Sequence, residues 1–428
     1  MSKEENRKNF SKYVSQNILG MIGFSCYVLA DSYFISIAKG ADGLTALNLV
    51  MPLYSIIFSI GEMIGVGSAI RYAISKIKKD ADADDYFWNA LIWCILSSML
   101  FVFAGIFFSA DIMRVLGADE HIVAVGNNYT KIFMCFAPMF MCNYVTNAFV
   151  RNDGAPGIAM SATLFSSLFN IVFDYILMFP MNLGMEGAAL ATALSPIIGM
   201  GICSIHFFSK KSSVRLVVCK PSVRKLVAGS QLGVSAFVGE MSSAVITLAF
   251  NFVILKLAGN VGVAAYGVVA NIAIVTTAVF NGVAQGSQPL ISSCFGRGDK
   301  DGCTQLKRMG YTTAFVLAAV MYSILFIFAG QFVAVFNSEG SEMLRLYATE
   351  GVKLYFIGIF FAGINIVGGG AFSATEDAFK AAVVSVARGF VLILGAVFVM
   401  SALFGMTGVW LAYAVAEGIT TFIMLVMV

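Results

Sequence analysis

Histidine is almost missing from this chain: His121 and His206 are the only two in 428 residues. A histidine-based metal or catalytic centre is therefore not expected. Charge is scarce too, at 12% of residues, where a soluble protein keeps about a quarter. The formal net charge of +3 is too small to point to nucleic acid. The eight cysteines are scattered, and no pair has metal-ligand spacing, so neither a zinc site nor a disulfide framework is expected. There is no phosphate-cradling Gly–Lys–Ser loop, no GxSxG and no HExxH. The chain is thus not expected to be an enzyme or to carry a cofactor. If it moves something across a barrier, an ion gradient or passive flow must drive the movement.

What is present is apolar. Mean hydropathy is +0.86, and 59% of the residues are hydrophobic, with 38 Phe and 41 Gly. This is the composition of an all-α integral membrane protein, whose glycines let helices approach closely. Hydropathy predicts twelve spans of about 20 residues each. They fall at 14–38, 47–71, 87–110, 127–148, 157–180, 185–208, 230–256, 265–290, 309–336, 350–371, 378–403 and 406–427. The polar N-terminus, MSKEENRKNFSKY, puts no cleavable signal ahead of the first span. With that terminus inside, twenty Lys and Arg fall on the inner side and six on or near the outer side. The positive-inside rule then places both termini in the cytoplasm of a multi-pass cytoplasmic-membrane protein. His206 ends a span beside Lys210 and Lys211 and is expected at the membrane interface.

The chain repeats itself. Gly40, Gly43, Ala46, Gly67, Ser68 and Asp80 recur 219 residues later as Gly259, Gly262, Ala265, Gly286, Ser287 and Asp299. GMEGAALATA from Gly184 recurs as GMTGVWLAYA from Gly405, 221 residues on. Six spans per copy is an even number, so both copies enter from one side. That makes two parallel six-helix lobes, 1–208 and 230–428, with a substrate cavity expected between them. The basic linker 209–229 joins them on the cytoplasmic face, either against anionic lipid headgroups or solvated.

One stretch, GIAMSATLFSSLFNIVFDYILMFP at 157–180, carries an acid in a membrane-length apolar run. Thr163, Ser167, Asn170 and Asp174 fall at four-, three- and four-residue steps and share one helix face. A carboxylate facing hydrocarbon costs roughly 2.5–3.5 kcal/mol or more, so Asp174 must look into protein or a wet cavity. Ser and Thr alone would suit a packing stripe; an Asp with an Asn one turn away marks an ion or substrate path. Asp31 lies in the first span about 10 Å from its outer end, and Asp174 about 9 Å from its own, at 1.5 Å per residue. The two acids thus sit at one depth, with Tyr27 one turn below Asp31 on the same face. Sharing a pocket, they would titrate as a pair. Such a pair can carry a proton, or with Asn and Thr oxygens it can hold a small hard cation; both H⁺ and Na⁺ remain open. Glu240, in the seventh span, faces either the cavity or a structural partner such as Arg388. Glu62 and Glu417 read as structural.

These residues carry a resemblance. The acid of LADSYF in span one, NAFVRNDGAP after span four, NIVFD in span five and GAALATALS opening span six resemble the multidrug and toxic compound extrusion (MATE) transporters of the MOP superfamily. The likeness runs over essentially the whole chain. It is greatest to the bacterial branch whose coupling site lies in the amino-terminal lobe. The resemblance implies that Asp31 and Asp174 bind the coupling ion with Asn170 and Thr192. It also implies that Tyr27, Tyr129, Asn147 and Ser167 line the cavity. Two departures stand out. Gln16 occupies the place of a proline low in span one. The usual span-ten carboxylate is missing near Asn365, which leaves any second-lobe ion site around Glu240 incomplete.

The expected function is therefore cation-coupled antiport, exporting amphipathic organic compounds by rocking alternating access. One proton moving down 100 mV gains about 2.3 kcal/mol. With one pH unit added, that sustains roughly a 500-fold gradient of a neutral compound. The expected partners are such small compounds and membrane lipids, with no nucleic acid, and a monomer is expected. A lipid-linked sugar flippase of the same superfamily competes, although the cavity acids oppose a phosphate cargo. A major-facilitator carrier lacks its basic signature in SKIKKDADADDY.

Overall fold

The structure is a computed structural model that describes residues 3–336 and 341–427, so the outermost lobe ends, Met1 and Val428, lie outside it. Among the described residues, nine helices are long and apolar enough to cross a bilayer. The pair Glu120–Cys135 and Ala137–Asn152, bent by 46°, makes a tenth. Two of the nine are double: Val223–Gly296 breaks at Gly259, and Ala378–Met427 breaks at Gly405. Twelve crossing segments result. Span one is Lys3–Gly40, span two Asp42–Lys78, span three Asp85–Val115, and span four the bent pair. Span five is Pro156–Met178 and span six Gly184–Phe207. Spans seven and eight are the arms of Val223–Gly296, span nine is Lys300–Ile327, span ten Glu342–Ala374, and spans eleven and twelve the arms of Ala378–Met427.

The breaks follow the repeat. Gly40 has φ 58° and ψ −142°, and Gly259, its counterpart, has φ 63° and ψ −158°. Gly184 and its counterpart Gly405 have φ 52° and 58°. A side chain makes this backbone region costly, so the recurring glycines reverse the chain at matching places in both copies. Several helices outrun their apolar stretches. Span one starts at Lys3 rather than 14, and span nine at Lys300 rather than 309. Backbone hydrogen bonding does not stop where hydrocarbon does; a polar cap stops it. Asp299 caps span nine by accepting the Gly302 N–H at 2.8 Å.

Each half of the chain has its own apolar core. One is built around Leu47, Ile57, Phe133, Phe149 and Ala188, the other around Phe250, Val283, Phe356, Val397 and Trp410. Phe10 and Val14 at the start of span one belong to the second core, so span one crosses between the halves. The halves meet along a seam of small residues. A Cβ on Gly67 would lie 2.6 Å from the Gly233 nitrogen, and one on Gly286 would lie 2.8 Å from Val14 Cα. Gly67 and Gly286 are repeat partners, and so by the same offset are Val14 and Gly233; the seam is two-fold. It lies toward the face that carries both chain ends. There Asn6 donates to Gln305 at 3.2 Å, and Arg71 and Lys78 pair with Glu376.

The linker is neither free nor simply solvated. Asp153 accepts from Ser212 Oγ at 3.1 Å and the Ser213 N–H at 2.9 Å, and Val214 is buried. Trp88 donates to the Cys219 carbonyl at 3.0 Å, and Asn89 accepts the Ser222 N–H at 2.7 Å. The linker is thus strapped to the first half. His206, at the end of span six, is buried beneath it, 2.7 Å from Asp153. The Asp153 carboxylate draws the ring inward.

Candidate functional site

Asp31 and Asp174 come from spans one and five, and both are inside the protein, 6% and 0% exposed. They are within electrostatic reach of each other. Among the described residues neither has a Lys, Arg or His partner, and Oδ1 of each is buried without a hydrogen bond. Asn170, one turn before Asp174, is fully buried and ties the acid to span six. In the amide orientation that satisfies every partner, its nitrogen donates to Asp174 Oδ2 at 3.1 Å. Its oxygen accepts from the Thr192 hydroxyl at 3.1 Å. Asn170, Asp174 and Thr192 thus form one hydrogen-bonded group from two spans, with Asp31 of a third within electrostatic reach. Chemically, such a group can take up a proton or surround a small cation.

The neighbouring residues divide. Tyr27 is half-buried below Asp31, its ring edge-on to Phe24 at 5.1 Å. Tyr129 is buried and hydrogen-bonded to Tyr54 of span two, and both lie within electrostatic reach of the two acids. Ser167 is buried on the Asp174 face. Asn147 is engaged elsewhere: it donates to the Ala159 carbonyl and to Thr163, each at 3.2 Å, and joins span four to span five. Glu240 is half-buried across the seam, in reach of Tyr27, Tyr144 and Glu62.

Arg388 is not the partner of Glu240. It pairs with Glu417 of span twelve, Nη2 to Oε1 at 2.7 Å and Nε to Oε1 at 3.1 Å. Asn365 donates to the same carboxylate at 2.7 Å, and Thr421 donates to Asn365 at 3.0 Å. A wide helical turn at Ala387–Val391 carries Arg388. Span seven packs against the Arg388 turn through Val238 and Ser242, so proximity of helices does not make the choice; Glu240 lies in reach of Tyr27, Tyr144 and Glu62 of the first half, and Glu417 of span twelve meets the guanidinium.

Two participants and one pairing escaped the sequence reading. Tyr54 stacks on Phe133 at 3.6 Å between ring centres; its signal was Phe58 one turn on, an aromatic pair on one face. Arg151, counted above with the inner-side basic residues, is buried in span four. Gln285 meets it from the other half, and nothing in the sequence pairs residues so far apart.

Comparison with known proteins agrees with this architecture. The MatE family model matches twice, over residues 17–176 and 236–399. The two matches start 219 residues apart, the offset of the glycine repeat. The multidrug export protein MepA of Staphylococcus aureus (strain MRSA252) is 27% identical over 414 residues, covering 94% of this chain and 89% of that one. MepA of Staphylococcus saprophyticus is 26% identical at the same coverage. Among solved structures, an outward-facing multidrug resistance MATE family transporter of the MOP superfamily superposes with TM-score 0.89 at 20% identity, covering 99% of this chain and 95% of that one. A MOP superfamily transporter from Pyrococcus furiosus gives TM-score 0.91 at the same identity and coverage. With the family model matching in both halves and the fold shared from end to end, this multi-pass membrane protein belongs to the MatE family.

Proposed function

We propose that this chain is a cation-coupled antiporter that exports amphipathic organic compounds across the cytoplasmic membrane, with both termini inside. The observation that carries the reading is the buried pair Asp31 and Asp174, on separate spans and, among the described residues, without a cationic partner. Two such carboxylates are costly to keep ionised in a membrane interior. An exchangeable ion that binds there removes the cost, and its departure restores it. Occupancy of the group then biases the conformation of the lobes, which is what coupling requires. H⁺ would bind a carboxyl; Na⁺ would use the oxygens of Asp31, Asn170, Asp174 and Thr192. The names of the MepA relatives support small organic cargo. Tyr27, Tyr129, Ser167 and Glu240 would line its path, and Asn147 would brace spans four and five.

In this reading lobes 1–208 and 230–428 rock about the glycine seam, joined by 209–229. The seam is closed on the face with the chain ends, which in this reading is the inner face. The test is flux of a fluorescent organic cation in proteoliposomes under a pH gradient alone, a sodium gradient alone, or neither. One of the two gradients is expected to drive accumulation and thereby to name the ion. Equal rates in all three would end the antiport reading.

A further inference from the structure

The glycine seam is crossed by one side chain of unusual placement. Gln285 projects from span eight, beside Gly282 and Gly286, into the first half. It lands between two opposite charges. Its Oε1 accepts from Arg151 Nη1 at 2.7 Å, and its Nε2 donates to Glu62 Oε1 at 3.2 Å. Arg151 is 4% exposed, also donates to Asn17 at 3.4 Å, and leaves its Nε–H without a partner among the described residues. Arg151 and Glu62 belong to the same half and feel each other electrostatically, with no ion pair between them. The amide of the other half stands in the way.

A buried guanidinium and carboxylate favour direct, two-point contact. Gln285 replaces that contact with one hydrogen bond to each. When span eight withdraws, the two charges are free to close on each other, and Nε can join the contact. Neither arrangement strands a charge. The separation of the halves is therefore compensated inside the first half, and the two states stay close in free energy.

We propose that Gln285 is the inter-lobe positioning residue of the transport cycle: inserted between Arg151 and Glu62 it holds the seam shut, and withdrawn it hands each charge to the other. The idea rests on the alternating-access reading above. Its deciding measurement needs neither substrate nor ion gradient. Hydrogen–deuterium exchange of the whole protein in nanodiscs is followed over 13–18 and 281–290, with 409–413 in the second core as control. Gln285→Met removes both bonds at similar volume, and exchange at the seam is expected to rise about tenfold, the equivalent of one net hydrogen bond. The double variant E62Q/Q285E exchanges carboxylate and amide and sets an ion pair across the seam, and exchange there is expected to fall about tenfold. Turnover in proteoliposomes is expected to drop in both variants at unchanged KM. A merely structural role would loosen both variants and lower both melting temperatures. That result, or seam exchange unchanged in either variant, overturns the proposal. Absence of gradient-driven flux in the unaltered protein would count against antiport instead, and the exchange measurements would still decide the role of Gln285.

Discussion

The two halves share a backbone and treat buried charge in opposite ways. Gly40 and Gly259 turn the chain through the same unusual dihedral angles, and Gly184 and Gly405 share a positive φ. Inside that common frame the first half keeps Asp31 and Asp174 without a cationic partner, while the second half matches Glu417 with Arg388 and Asn365. A paired carboxylate is finished chemistry. An unpaired one has capacity left for a mobile ion. The repeat thus supplied two equal scaffolds, and the first holds a pair of buried carboxylates that have no cationic partner among the described residues.

Removing the incomplete charge should break the comparison most visibly. Asp174→Asn is expected to cut gradient-driven accumulation by about 50-fold per 100 mV, the full drive of one charge. The melting temperature should stay or rise, because a costly buried acid is gone. Normal accumulation with Asn at 174 would remove that residue from the coupling group. In the second half the same logic gives the opposite sign. Arg388→Met strands Glu417 and should destabilise by about 3–5 kcal/mol, whereas the double change R388M/E417L should be about neutral or stabilising. Thermal unfolding in detergent reads both variants. Equal losses in the single and double variants would mean that packing, not charge, matters there.

The shared frame can be tested by matched substitutions. Gly40→Ala and Gly259→Ala should each cost about 1–2 kcal/mol, since both positions need positive φ. A large difference between the two would show that the turns are not equivalent. The smallest effect concerns the far rim of the first half, ahead of the apolar part of span four. There Asp42 accepts from His121 at 2.9 Å and raises the imidazole above its ordinary value. A raised histidine contributes stability that is full below about pH 6.5 and is lost as pH rises through the folded-state value. The contact is exposed, so the expected slope of melting temperature against pH is slight, and Asp42→Asn should abolish it. The second half has Val261 at the matching place and no such tie.

Much of this contrast was written in local spacing. Asn170 and Asp174 stand one turn apart, so their shared face followed from helix geometry alone. The glycine turns were legible because few other residues adopt positive φ. Thr192 came only with the family resemblance, since a threonine among many carries no signal of its own. The partner of Arg388 was not legible. Glu240 and Glu417 were both apolar-span acids on helices that neighbour Arg388, and choosing between them requires knowing which way each side chain faces. Gln285 was still further out of reach, because its meaning lies in two charges more than a hundred residues upstream. The anchoring of the linker was not legible for a related reason: Asp153 and Asn89, which hold it, lie outside its own sequence.

That fastening limits how the molecule can move. The strap is secured to the first half at Asp153 and again at Asn89, which grips Ser222 immediately before the seventh span begins. No slack remains between anchor and helix. The root of that helix therefore stays with the first half while the rest of the second half tips away from it.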